Sequence, residues 1–81
     1  MTRKEERTQS FEWCISDYLG KLSHKVQYGQ IDANHIALVL RKIMQLNELV
    51  LRFVGDQLDE KATEDMFIPI QLELNELVKW A

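Results

Sequence analysis

Eighty-one residues suffice for one domain, and a core of that size leaves only a few kcal/mol of stability unless something supplements it. Cys14 is the single cysteine, which excludes disulfides, and only His24 and His35 could join it at a metal, so oligomerisation is the common device left. The net charge of −3 divides into +1 over residues 1–31 and −4 over the rest, which excludes the strongly basic surface that phosphate-dominated nucleic-acid binding wants.

Glycine and proline are scarce, at three and one residues, and this favours helices over a turn-rich β fold. The longest apolar run is the five residues Ile36–Leu40, far short of the roughly 20 needed to cross a bilayer. The lone thiol, with no apolar leader segment after Met1, gives the expectation of a reducing, cytoplasmic setting.

In chain order, residues 1–9 are charged and polar. Thr2 and Glu5 have capping-box spacing, so this stretch is either a frayed helical start or disordered. A first helix is predicted from about Ser10, as N-cap, to Tyr28, with Gly29 as its left-handed stop. Phe11, Ile15, Tyr18, Leu22 and Val26 recur every three or four residues and form its buried stripe, flanked by Cys14 and Leu19. Gly20 inside this helix costs ~1 kcal/mol relative to alanine, which predicts that something packs closely against it.

Asp32 is a predicted N-cap for a second helix over Ala33–Val54. Ile36, Val39, Ile43, Leu46, Val50 and Phe53 alternate three and four apart and fill heptad a and d positions. Beside them runs a second row, Ala37, Leu40, Met44, Leu51 and Val54. An arc this wide exceeds what one neighbour covers. Two readings follow: a core strip shared with the other helices of one chain, or a seam between the second helices of a homodimer. Gly55 and Asp56 loosen the pattern, and Leu58 allows the helix to continue to about Lys61.

The last segment has both signatures. Ile70, Leu72 and Leu74 alternate with polar residues as a strand would, while Phe67, Ile70, Leu74, Leu77, Val78 and Ala81 fit helical spacing. A lone strand would have no sheet to join. The prediction is a third helix over about Thr63–Trp80, bent at Pro69, or a shorter one with Pro69 in its first turn. The expected fold is all-α: a single domain over residues 1–81, built as a three-helix bundle or a helical hairpin with a third helix, and assembled as a homodimer.

No catalytic residue is assigned. Cys14 falls on the buried stripe between Phe11 and Tyr18, away from the electropositive, exposed setting an activated thiol needs, and no phosphate loop or nucleophile elbow occurs. No metal or cofactor is expected either: Asp32 and His35 have ligand spacing only once, at a helix start where Asp32 already has a capping role. Trp13, Asp17, Gly20, Lys21, His24 and Tyr28 fall opposite the apolar stripe, and aromatic residues on such a face are enriched at recognition surfaces. The structural alternative is that Trp13 folds over the helix end or lies under the third helix. The functional expectation is a small non-enzymatic regulator, adaptor or inhibitor that binds another protein. The alternative is a dimeric nucleic-acid-binding transcriptional regulator using Arg3, Lys4, Arg7, Lys21, Lys25, Arg41 and Lys42, the short turn at Gly29–Asp32 being its one point of support.

Overall fold

A computed structural model describes residues 2–78. Among these residues the chain forms three packed helices and no strand: α1 (Arg3–Gln27), α2 (Ala33–Val54) and α3 (Glu60–Val78). The all-α expectation holds, as a three-helix bundle measuring 40 × 22 × 17 Å along its principal axes. The 25-residue α1 is ~37 Å long at 1.5 Å per residue, so it sets the long dimension.

The helix α1 starts at Arg3, well before the predicted Ser10. Thr2 is its N-cap, its side chain accepting a hydrogen bond from the Glu5 amide at 3.1 Å, while Ser10 donates back to the Glu6 carbonyl within the helix. What holds this first stretch helical is its neighbours across the bundle. Arg3 pairs with Glu60, Arg7 lies 3.5 Å from both Glu60 and Glu64, and Lys4 pairs with Asp56. Each exposed pair contributes little alone, but four on one segment outweigh fraying.

Both interhelical turns use the same device. Gly29 takes a left-handed φ of 65°, and the amides of Gly29 and Gln30 donate to the carbonyls of Val26 and Lys25, closing a Schellman cap. At the end of α2 the equivalent left-handed residue is Asp56 at φ 62°, with Gly55 in an ordinary conformation. Asp56 and Gln57 donate to Phe53 and Arg52, so α2 stops at Val54 and does not continue to Lys61.

Asp32 caps α2 as predicted, accepting from the His35 amide at 2.7 Å. For α3 the cap is Asp59, which accepts from the Ala62 amide at 2.7 Å and starts the helix at Glu60, a turn ahead of the predicted Thr63. The fully buried Thr63 is satisfied by donating its hydroxyl proton to the Asp59 carbonyl at 2.7 Å. Pro69 sits inside α3 on its exposed side, so the carbonyl its ring displaces, that of Asp65, lies where water can serve it. The predicted end at Trp80, and Ala81 of the apolar row, lie outside the described residues.

The core draws on all three helices. Phe11 of α1 meets Phe53 of α2 edge-on at 5.7 Å and Phe67 of α3 at 4.8 Å, forming one aromatic cluster. Of the first α2 row, Val39, Ile43, Leu46, Val50 and Phe53 are buried and Ile36 is partly buried against them. That row is therefore the chain's own core. The homodimer reading cannot use it.

Two expectations for buried positions are corrected. The α1 stripe ends at Lys25, which is buried, while Val26 and Leu19 are exposed. Positions 11, 15, 18, 22 and 25 keep the contact line straight along α1, and position 26 lies about 100° round the helix from Lys25. The second α2 row is open to solvent, with Leu40, Met44, Leu51 and Val54 all exposed. Two neighbours cover only the side of α2 that faces the bundle axis, and they leave this row outside.

Candidate functional site

The residues singled out on α1 share one exposed face. Trp13 is 79 % exposed, neither folded over the helix end nor covered by α3. Asp17 and Lys21, one turn apart, form an ion pair at 3.0 Å, and the Lys21 ammonium lies 5.6 Å from the Tyr18 ring centre. Farther along, the His24 and Tyr28 rings approach to 4.6 Å between centroids, so the end of α1 presents a two-ring edge. The i, i+4 spacing of each pair explains both contacts.

Two open depressions follow this face. One is lined by Trp13, Cys14, Ser16 and Asp17, the other by Asp17, Gly20, Lys21, His24, Lys25 and, from α3, Val78. Gly20 lies in the floor of the second. The close packing predicted at Gly20 is absent: a Cβ there would meet nothing within 4 Å. Its lack of a side chain instead leaves the depression open.

A groove between α1 and α3 borders the same face. Arg7, Phe11 and Cys14 from one side and Glu64, Phe67, Ile68 and Gln71 from the other line it. Along the same α1–α3 contact, Tyr18 donates its hydroxyl proton to Asn75 Oδ1 at 2.7 Å, with the Gln71 carbonyl 3.3 Å away. Burial pushes the Tyr18 phenol above its ordinary value of about 10, the neighbouring Cys14 thiol adds to the rise, and Lys21 opposes it. Ile68 and Leu72 are exposed on the outer side of α3. Sequence reasoning missed them as surface residues, although they are four apart and off the line of Phe67 and Leu74.

The described partner of the half-buried Cys14 Sγ is the Gln71 side-chain amide, which donates at 3.6 Å and cannot act as a base. Asp32 and His35 meet through the cap at the His35 amide. Among the described residues no group of three or more His, Cys, Asp or Glu side chains is placed to hold a metal ion. None of the described helices is long and apolar enough to cross a membrane.

The basic N-terminal residues are engaged in the ion pairs with α3 and the α2–α3 turn already described. Lys42 pairs with Glu73, and Arg52 with Glu48. Positive charge is thus interleaved with acid.

No protein-family model matches this chain, and neither a curated protein nor a solved structure is significantly similar to it.

Proposed function

We propose that this chain is a non-enzymatic protein-interaction module that engages another protein through the outer face of α1. The observation that carries the proposal is Trp13, a large aromatic side chain 79 % exposed beside open depressions, with the Asp17–Lys21 pair next to it and the His24–Tyr28 edge beyond. Aromatic side chains backed by a rigid helix give contact area at small entropic cost, and interface hot spots favour them. The test is affinity capture from the native cell with wild-type protein and with a Trp13→Ala/Tyr28→Ala variant shown by circular dichroism to be folded. A partner retained by the wild type and lost by the variant supports this surface, and identical capture by both removes it.

Self-association belongs to the same proposal, and the outer row of α2 is the face that favours it. An apolar row this long is costly to leave facing water and is a common mark of an interaction site. Nucleic-acid binding ranks below both, because Arg3, Lys4 and Arg7 already meet Glu60, Asp56 and Glu64. A mobility shift with duplex DNA at low salt would reverse that ranking.

A further inference from the structure

The exposed residues of α2 are ordered. Ala37, Leu40, Met44, Leu51 and Val54 follow one another at spacings of three, four and seven, and Asn47 fills the position that would make the row a complete heptad pattern. Position 37 is then an a, 40 a d, 44 an a, 47 a d, 51 an a and 54 a d. This is a second coiled-coil seam on the helix whose first seam is the chain's own core. Arg7, Cys14 and Tyr18 engage α3, so the opposite flank of α1, bearing the exposed Leu19 and Val26, lies toward α2 and widens the apolar surface on that side.

We propose that this row is a seam between two copies of this chain, packed antiparallel about a two-fold axis between Met44 and Asn47. The proposal rests on the self-association reading above and assigns its geometry. In an antiparallel pair each a position meets a d position of the other helix. Here that sets Leu40 against Leu51, Met44 against Asn47 and Ala37 against Val54 of the second copy, each pair occurring twice.

The row is self-complementary in this register and in no other as well. Small meets large at the ends, and leucine meets leucine on either side of the centre. The polar Asn47 of each copy falls next to the axis, within about one turn of the other's, where the two amides can satisfy each other. The charges agree. Arg41 and Glu48 flank the seam, and the same axis brings Arg41 of each copy toward Glu48 of the other. Arg41 makes no ion pair with a described residue of its own chain. A parallel pair would set Ala37 on Ala37, leaving a thin layer. It would also direct Arg41 and Glu48 toward Ile36, Ile43 and Val50, which the core of the bundle has already taken.

The test combines mass in solution with cross-linking in a Cys14→Ser background. The wild-type mass is expected at twice the 9.6 kDa of one chain. Ala37→Cys and Val54→Cys are made separately, and each keeps apolar volume at an exposed position, so the fold and the seam both survive. Under mild copper-phenanthroline oxidation the mixture should form disulfides between the two variants several-fold faster than either does alone. In the antiparallel pair two copies of residue 37 lie ~25 Å apart along the seam. Ala37→Cys linking to itself as readily as to Val54→Cys, with the dimer mass intact, overturns the register while leaving self-association standing. A monomer mass at the highest soluble concentration overturns both.

Discussion

Truncating Leu46 to alanine tests whether the first α2 row is the chain's own core. Leu46 has no exposed surface, and it sits mid-helix between α1 and α3. Deleting a buried leucine side chain costs ~2–5 kcal/mol through lost transfer energy and the cavity left behind, and a site enclosed by two helices has little freedom to collapse. The better helix propensity of alanine returns only about 0.2 kcal/mol. We therefore expect a loss of about 3 kcal/mol, against a total of roughly 4–12 kcal/mol for a chain of this length. At about 4–8 °C per kcal/mol for a domain this small, the melting temperature should fall by ~12–24 °C. Urea and thermal unfolding followed by far-ultraviolet circular dichroism measure this directly. The matched control is Met44→Ala, two positions away and 69 % exposed, which should change stability by less than about 0.5 kcal/mol in dilute solution. A Leu46 penalty below about 1 kcal/mol, or a Met44 penalty of equal size at dilution, would refute the assignment of the two rows.

Further outcomes follow from single contacts. Alanine at Gly20 and at Gly29 should act in opposite directions: the first stabilises by about 1 kcal/mol because it sits in open helical surface, and the second destabilises by ~1–2 kcal/mol because φ there is 65°. The same unfolding measurements decide it, and equal signs would contradict the backbone geometry. In a Tyr28→Phe variant Tyr18 is the one remaining tyrosine, and its phenolate absorbance should titrate with a midpoint above the ordinary value of about 10. The folded chain holds that proton more tightly than the unfolded one. The corresponding stability is thus fully present below about pH 10 and is lost as the pH rises through the native value, so a midpoint at or below 10 removes the burial argument. Arg41→Glu should weaken self-association by roughly 1–2 kcal/mol, and mixing it with Glu48→Arg should recover most of that in a sedimentation assay. No recovery on mixing would mean that the two charges do not meet.

The sequence made the start of α2 legible to the residue, because a heptad row and the aspartate cap at Asp32 agree on Ala33. The start of α1 was less readable. Thr2 and Glu5 carried the cap signal, but the stabilising partners of Arg3, Lys4 and Arg7 lie more than fifty residues away in sequence, on the α2–α3 turn and on α3. The end of α2 misled for a local reason: the left-handed residue is Asp56, and a non-glycine there leaves little mark in the sequence. On α1 the pattern placed Trp13, Asp17, Gly20, Lys21, His24 and Tyr28 opposite the stripe, and they lie together on the exposed side. Which of two adjacent apolar rows on α2 faces inward could not be read from that helix alone. Both have heptad spacing, and the choice is made by where α1 and α3 dock.

The two proposed surfaces occupy different sides of the bundle, and this has a consequence for binding. Asp17 and Lys21 lie on the flank of α1 that turns toward α3, with Val78 bordering the same depression, whereas Leu19 and Val26 lie on the flank toward α2. An antiparallel seam along α2 therefore leaves both copies of the Trp13 face uncovered, related by the same two-fold axis. Such a dimer meets a repeated or dimeric target at two points at once, and the second contact forms at the high effective concentration that the first creates. Loss of the α2 seam should then lower capture of such a target far more than it lowers the affinity of one Trp13 face for one site. A seam variant that binds an immobilised target as tightly as the wild type would separate the two surfaces functionally. A variant weakened only on dense target, and unchanged on sparse target, is the signature of the bivalent arrangement.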